Sequence, residues 1–354
     1  MSHFLYSKSS VNTNCSQPLS PSHKEGNIQN RFTMPSFKPI PILSGGFAQS
    51  ILASWKSKKD KQYPFLKESK WHLLKTAQGV SLLASLNLLE KPKGILILLH
   101  GWEGSIESSY IVRTTGHFLA RHFSVYRLNL RDHGGTHHLN EGIFNGSLLE
   151  ETYDAVLGLS KLNPHKLPIY LAGFSLGANF VLRIAHKHST AKKSEKIPNL
   201  KHCFAISPPI DPLAATLKMD DQPILRDYFL KAWVKSLRTK QKLFPHLYQF
   251  PNLTKFKTVI DLTEKMILEY SEYKSVQEYF NTYTLNPEFF KKIKTPVTIL
   301  TSEDDPVIPV SDFYTIPKQP YLEVIIESKG GHCGFIEDRD RTSYYWRLMS
   351  MKMN

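Results

Sequence analysis

The chain has 354 residues, of which 41% are hydrophobic and 21% are charged, a balance typical of globular proteins. This length suits one large α/β domain with an insertion, or two ordinary domains. The formal net charge of +14 favours acidic partners, but the basic residues are dispersed and accompany no nucleic-acid module, so we predict no nucleic-acid binding. Three scattered cysteines exclude a disulfide framework.

The first 35 residues differ in composition from the rest of the chain. Residues 1–35 are rich in Ser, Asn, Gln and Pro and lack the apolar segment of a secretory signal, which predicts a disordered leader. No apolar run in the chain reaches the roughly 20 residues needed to cross a bilayer. These features predict a soluble, cytoplasmic protein.

Strands and helices alternate through most of the remaining sequence. A hairpin is predicted at residues 71–87, around the turn Gln78-Gly79. Apolar runs predict strands at residues 95–99, 124–130, 169–172, 203–207, 297–301 and 322–326. Helical patterns separate several of these runs, at residues 110–121, 150–162 and from 178 onward, and a final helix carries Tyr345, Trp346 and Leu348. This alternation predicts a mostly parallel central sheet with helices on both faces.

Residues 213–291 contain helical patterns but no buried strand. Apolar and aromatic residues, including Phe229 and Trp233, recur there at helical spacing, and we expect most of them to serve internal packing. We predict a helical lid insertion at 213–291 within a core formed by residues 36–212 and 292–354. Lys231, Lys235 and Lys240 accompany the apolar face, so we expect a basic rim and a possible peripheral contact with an anionic membrane.

The motif Gly-x-Ser-x-Gly stands between the predicted strand 169–172 and the helix that follows it. Gly173 and Gly177 would let the chain turn sharply from strand to helix and hold Ser175 at the tip, above a helix N-terminus. The motif alone is short and degenerate, but its strand–helix setting favours a nucleophile over a chance match. We therefore predict that Ser175 is a catalytic nucleophile.

Polar residues follow the ends of two later predicted strands, so they are expected at the same edge of the sheet as the serine. His332 can take the proton of Ser175 if a carboxylate holds its other ring nitrogen. Asp305, Asp304 and Asp211 are candidates for that carboxylate, although Asp211, between Ile210 and Pro212, reads better as part of a structural turn.

An ester-cleaving site also needs donors for the developing oxyanion. The backbone N–H groups of Leu176, at the start of the helix, and Trp102, after the strand 95–99, are the predicted pair. Trp102 could instead serve only as a wall of the pocket.

Two other chemistries are less well supported by the sequence. His133 and His137 are four residues apart, but Gly134-Gly135 opposes the helix that would align them, and no carboxylate or cysteine cluster completes a metal site. Cys333 has no separate base and is interpreted as a small packed residue. We predict no metal and no cofactor.

The chain resembles the α/β-hydrolase superfamily, and within it the YheT-like branch of predicted bacterial carboxylesterases, which is related to eukaryotic α/β-hydrolase-domain lipid esterases. The resemblance covers everything after the leader. It is carried by the segment 37–51, His100-Gly101-Trp102-Glu103-Gly104, Asn129-Leu130-Arg131, Gly173-Phe174-Ser175-Leu176-Gly177-Ala178, Asp304-Asp305-Pro306 and Gly330-Gly331-His332-Cys333-Gly334-Phe335. One departure is Asp132-His133 after Arg131, where the branch often has small residues.

The resemblance implies an α/β-hydrolase fold and a Ser-Asp-His triad. In this superfamily the acid commonly lies four residues before a proline that ends its turn, which favours Asp305, with Pro309, over Asp304. The leading hypothesis is a serine hydrolase acting on a small-molecule or lipid ester with an apolar acyl group. Two alternatives remain, an acyltransferase using the same triad and a non-catalytic binding protein on a hydrolase fold. The sequence does not indicate an oligomeric state.

Overall fold

The structure of the chain, a computed structural model, describes residues 36–163 and 165–353. The predicted leader, 1–35, lies outside the described residues. Within them, eight strands form one sheet. The strands are β1 (Lys70–Lys75), β2 (Ser81–Asn87), β3 (Gly94–Leu99), β4 (Phe123–Leu128), β5 (Ile169–Phe174), β6 (Leu200–Ile206), β7 (Val297–Ser302) and β8 (Leu322–Glu327).

The sheet has the order β1-β2-β4-β3-β5-β6-β7-β8. The predicted hairpin forms as the antiparallel pair β1–β2, and β2 also pairs antiparallel with β4. All the pairs from β4 through β3 to β8 are parallel. The predicted mostly parallel sheet is therefore confirmed, and the carboxyl ends of β3 and β5 to β8 share one edge.

Twelve α-helices accompany the strands in the described part of the chain. They are α1 (Gly46–Ser54), α2 (Phe65–Glu68), α3 (Ser109–Leu119), α4 (Leu149–Lys161), α5 (Leu176–Thr190), α6 (Pro212–Asp220), α7 (Pro223–Leu243), α8 (Val259–Tyr270), α9 (Val276–Asn281), α10 (Pro287–Lys291), α11 (Ser311–Tyr314) and α12 (Tyr344–Lys352).

Helices cover both faces of the sheet, as predicted. Every residue of β3 is buried, and because side chains alternate along a strand, the two faces have separate packing partners. On one face, Ile97 packs in a cluster with Val156 of α4 and Val181 of α5. On the other, α3 packs on β3 and β4, and the Trp346 indole of α12 donates to the Thr114 hydroxyl of α3 (3.0 Å). This continuous burial explains the apolar runs that mark the strands.

Five helices, α6 to α10, lie between β6 and β7, where the sequence predicts a helical insertion. Helix α6 has no counterpart among the predicted elements. It begins at Pro212, and the Asp211 carboxylate caps it by accepting the N–H groups of Leu213 and Ala214 (3.0 and 3.1 Å). Asp211 thus has the structural role that its Pro-flanked turn indicates.

The predicted basic rim of the insertion is wrong at one of its three positions. Lys231 and Lys235 are exposed on α7, but Lys240 is buried and its ammonium donates to Asp132 (2.8 Å). Four residues on a helix return to nearly the same face, whereas the five-residue step from 235 to 240 turns by about 140°. That step carries Lys240 to the inner face of α7, away from solvent.

Candidate active site

The turn between β5 and α5 places Ser175 in a strained backbone conformation, with φ 53° and ψ −123°. The two glycines of the motif make this turn possible. A Cβ at Gly173 would lie 2.2 Å from the carbonyl oxygen of Gly177, and one at Gly177 would lie 2.4 Å from that of His100. Neither position has room for a side chain, so the turn needs glycine on both sides of Ser175.

Three of the predicted site residues form one hydrogen-bonded chain. His332 Nε2 lies 2.8 Å from Ser175 Oγ, and His332 Nδ1 lies 2.9 Å from Asp305 Oδ2. When Nδ1–H donates to Asp305, Nε2 has no proton and can accept the serine hydroxyl. The Asp305 side chain is fully buried and that of His332 is 13% exposed, so the chain runs from the protein interior to the cleft.

The three candidate aspartates have different partners. Besides contacting His332, the Asp305 carboxylate accepts the N–H groups of Val307 and Ile308 (2.8 and 2.9 Å). Asp304 accepts from Gly331 N–H (2.9 Å), and Asp211 caps α6. Of the three, Asp305 alone contacts the imidazole.

The loop that carries His332 is held by residues that the sequence analysis did not single out. Ser50 Oγ on α1 accepts from the backbone N–H of His332 (2.7 Å), and Ser207 Oγ after β6 accepts from that of Cys333 (3.1 Å). The Lys218 ammonium donates to the backbone oxygen of Asp305 (2.7 Å). No local motif marks these contacts, because each joins residues far apart in the chain.

Cys333 is buried beside the loop, with its thiol 3.7 Å from the carbonyl oxygen of Ile206. Burial raises the pKa of this thiol above its ordinary value, and the charge of Asp305 raises it further. A thiol held in its neutral form is a weak nucleophile, consistent with the interpretation of Cys333 as a packed residue.

The residues that carry the two predicted oxyanion donors are both at the cleft that contains Ser175. Trp102 and Leu176 line the same cleft as Ser175 and His332. The loop of Trp102 packs closely, since a Cβ at Gly101 would lie 3.1 Å from Ser175 Cβ. Among the hydrogen bonds of the described residues, none uses the backbone N–H of Trp102 or Leu176.

The cleft above Ser175 encloses about 1070 Å³, its open mouth included, and its walls are mainly apolar. Most of the wall comes from the segment between β6 and β7, with Met219, Phe229, Trp233, Val259, Met266, Ile267, Phe280 and Tyr283 among its residues. The Trp102 ring stacks on Phe229 (centroids 5.4 Å apart) and meets Trp233 edge-on (5.3 Å). The aromatic residues expected to serve internal packing thus also form the cleft wall.

A second polar cluster lies beside the cleft under α7, and we call Glu103, Asp132, His133, His137 and Lys240 the α7 cluster. Both ring nitrogens of His133 are engaged, Nδ1 with the Arg131 carbonyl oxygen (2.6 Å) and Nε2 with the Glu103 N–H (3.1 Å). His137 Nε2 contacts the Ser236 hydroxyl (2.7 Å). In the described part of the chain, no three His, Cys, Asp or Glu residues are placed to hold a metal ion.

Burial and charge set the protonation of the α7 cluster. Burial raises the pKa of the Glu103 carboxyl to about 8, with the negative charge of Asp132 adding to the effect. Burial also lowers the pKa of His133 well below its ordinary value. The cluster therefore holds a neutral His133 beside the Asp132–Lys240 ion pair.

Comparisons with known proteins indicate the family of the chain. A family model described as "Alpha/beta hydrolase family" matches residues 96–343. The chain is 25% identical over 272 residues to a monoacylglycerol lipase of Saccharomyces cerevisiae, covering 72% of this chain and 57% of that protein. It is 22% identical to human phospholipase ABHD3, covering 68% and 58%. The chain thus spans less than two thirds of these relatives.

Solved structures share the fold at lower identity. The Pyrococcus furiosus esterase Pf2001 superposes with a TM-score of 0.55 at 16% identity, covering 84% of this chain and 92% of the esterase. At that identity the similarity concerns the fold alone. No helix among the described residues is both long and apolar enough to span a membrane.

Proposed function

The chain belongs to the alpha/beta hydrolase family, and on that premise we propose that it is a serine hydrolase that cleaves a carboxylic ester with an apolar acyl group. The observation that carries the proposal is the hydrogen-bonded chain Ser175–His332–Asp305 at the floor of an apolar cleft. A serine hydroxyl is a poor nucleophile at neutral pH, and this arrangement supplies the base that it needs.

In the acylation step, Ser175 Oγ attacks the ester carbonyl carbon while His332 Nε2 removes the hydroxyl proton. Asp305 keeps the proton of the imidazole on Nδ1 and stabilises the imidazolium that forms. The carbonyl oxygen becomes an oxyanion, for which the N–H groups of Leu176 and Trp102 are the donors at hand. His332 then gives its proton to the departing alcohol, which leaves an acyl group on Ser175.

Deacylation uses the same groups in the reverse order. His332 removes a proton from water, the resulting nucleophile attacks the acyl carbon, and Ser175 leaves with the proton of the imidazolium. An alcohol in place of water would give acyl transfer instead. The observation that favours acyl transfer is the apolar wall around Ser175, because an apolar wall disfavours water beside the acyl group.

We propose that residues 213–291 act as the lid of this cleft and that Phe229, Trp233, Met266 and Phe280 bind the acyl chain. These side chains offer an apolar surface that a hydrocarbon chain can cover without losing hydrogen bonds. The names of the relatives, a monoacylglycerol lipase and a phospholipase, support lipid esters as the substrate class.

The proposal is tested by incubating the purified chain with a monoacylglycerol, a phosphatidylcholine and a short activated ester. Fatty-acid release is measured with and without an added alcohol. We expect release from at least one ester, abolished in Ser175→Ala and retained in Ser271→Ala, which removes another hydroxyl from the cleft wall. Formation of a new ester in place of free acid would identify an acyltransferase. Absence of both products would contradict the proposal.

A further inference from the structure

Helix α1 has the reverse of the usual distribution of residues for a surface helix. It buries Gly46, Gln49, Ser50 and Ala53, which are small or polar. Its large apolar side chains face outward, and with the residues just before and after the helix they form a row at four-residue spacing. We call this row the α1 strip; its members, between 37% and 64% exposed, are Leu43, Phe47, Ile51 and Trp55. Ile42, beside the row, is 89% exposed.

This orientation of α1 is fixed by tight contacts on its buried side. A Cβ at Gly46 would lie 1.9 Å from the backbone oxygen of Asp304. Gln49 accepts the Ile336 N–H (2.7 Å) and donates to the carbonyl oxygen of Leu43 (2.8 Å). Rotating the helix to bury its apolar row would break these bonds. The contacts of α1 with the core therefore keep the strip exposed.

The chain segment that contains the strip is mainly basic. Between positions 37 and 67 the chain has one acidic residue, Asp60, which is buried near Arg113 and Arg341. The same stretch has six lysines, all of them exposed. They are Lys38, Lys56, Lys58, Lys59, Lys61 and Lys67. The exposed charges that flank the α1 strip in the chain are therefore positive as far as Lys67, which the exposed Glu68 follows.

We propose that the α1 strip and its flanking lysines dock the protein on an anionic lipid surface. A helix lying at a membrane interface buries a row of large apolar side chains at the boundary between headgroups and acyl chains, and its lysines attract acidic headgroups. Trp55 has the ring that is favoured at this depth. Charge complementarity thus favours an anionic lipid surface over a second copy of the chain, whose matching face carries the same positive charges.

The docking surface and the candidate active site share this helix. The outward side of α1 carries the strip, while on its inward side Ser50 accepts the backbone N–H of His332 (2.7 Å). Docking through the strip would therefore place the helix that supports the histidine loop directly on the lipid. The docking proposal does not depend on the proposed hydrolysis and is tested by binding alone.

Sedimentation with vesicles tests the proposal directly. The full chain is mixed with vesicles of phosphatidylcholine, or of phosphatidylcholine with about one third phosphatidylglycerol. We expect binding to the anionic vesicles, weakened by added salt because exposed charges are screened over about 10 Å at 0.1 M.

Changing Phe47, Ile51 and Trp55 together to Ser should weaken binding by roughly tenfold or more. Changing Lys56, Lys58 and Lys59 to Gln should weaken it by roughly a hundredfold and reduce the salt dependence.

Matched controls separate the strip from general surface effects. Changing Leu88, Tyr314 and Tyr321 to Ser removes exposed apolar side chains elsewhere, and changing Lys192, Lys193 and Lys196 to Gln removes another group of lysines. Both controls should bind as the unaltered chain does. Failure of the unaltered chain to bind anionic vesicles would overturn the proposal, as would equal losses in strip and control variants. Self-association that is abolished by the strip substitutions would show that a second copy covers this face.

Discussion

Two buried polar clusters lie beside the same cleft, and they differ in where their hydrogen bonds end. In the hydrogen-bonded chain Ser175–His332–Asp305, the Ser175 hydroxyl at one end faces the cleft. In the α7 cluster, the Lys240 ammonium donates to the Asp132 carboxylate and to two backbone carbonyls, and Asp132 also accepts the Phe144 N–H. The hydrogen bonds of the first cluster end on a group available to a substrate, whereas those of Asp132 and Lys240 in the second end on other groups of the protein.

This difference distinguishes a cluster placed for catalysis from a structural cluster better than residue type does. Both clusters contain a buried aspartate and a histidine, and the α7 cluster has more titratable groups. Its bonds join α7 to the loop after β4 and so fix one wall of the cleft. We therefore expect the first cluster to control turnover and the second to control stability.

The largest expected effect is that of removing the hydroxyl at the end of the first cluster. Ser175→Ala should lower turnover on an activated ester by about 10⁶-fold, the loss seen when a serine nucleophile is removed. The fold should persist, because the substitution removes one atom at the cleft floor. Ester hydrolysis and circular dichroism measure the two effects. Retention of more than a few per cent of activity would contradict the assignment of Ser175 as nucleophile.

The next effect concerns the buried end of the same cluster. Asp305→Asn should lower turnover by roughly 10³–10⁴-fold, because the imidazole loses the carboxylate that holds its tautomer. Asp304→Asn is the matched control, because the Asp304 carboxylate accepts the Gly331 N–H and does not contact the His332 imidazole. Steady-state kinetics of both variants should therefore rank Asp305 far above Asp304. The opposite ranking would show that the acid has been misassigned.

Substitutions in the α7 cluster should change the stability of the fold more than turnover. Lys240→Met leaves Asp132 buried without its partner, which typically costs about 3–5 kcal/mol in the free energy of unfolding. Lys235→Met, on the exposed face of the same helix, should change it by less than about 0.5 kcal/mol. Urea titration measures both, and adding Asp132→Asn to Lys240→Met should recover part of the loss. Equal effects of the two lysine substitutions would show that the buried Asp132–Lys240 pair does not stabilise the fold.

A smaller effect appears in the dependence of stability on pH. Burial lowers the pKa of His100 to about 4, below the ordinary value of 6.5. Between pH 6.5 and 4 the unfolded chain therefore binds a proton that the folded chain does not, so stability falls as the pH falls, by up to about tenfold in the unfolding constant per pH unit. His100 donates to the Gly101 carbonyl oxygen (2.8 Å) and accepts the Leu130 N–H (3.1 Å). His100→Gln, which keeps one donor and one acceptor, should show a shallower slope in urea titrations. An unchanged slope would contradict this assignment.

The sequence predicts the sheet and places the candidate site residues at one edge of it because both predictions depend on local patterns. Apolar runs mark buried strands, and strand ends in a parallel sheet meet at one edge, so Ser175, Asp305 and His332 could be placed near one another. Choosing Asp305 over Asp304 needed the resemblance to a family, since the sequence does not show which neighbour faces the imidazole.

Other features depend on contacts between distant parts of the chain. The ion pair of Asp132 and Lys240 joins residues 108 positions apart, so the sequence around Lys240 did not identify its buried partner. Periodicity assumes that large apolar residues face inward, and α1 breaks that assumption because Gly46 and Ser50 must fit against the histidine loop. Sequence reasoning therefore did not predict that the α1 strip would be exposed.

The most direct test of the proposed mechanism is covalent labelling of the nucleophile. A fluorophosphonate reacts with a serine only where a base activates the hydroxyl, and the site of addition can be read by peptide mass spectrometry. We expect one added group, on the peptide that contains Ser175, with no addition in Ser175→Ala and slow addition in His332→Ala. Labelling that persists in Ser175→Ala, or no labelling of the unaltered chain, would contradict Ser175 as the activated nucleophile.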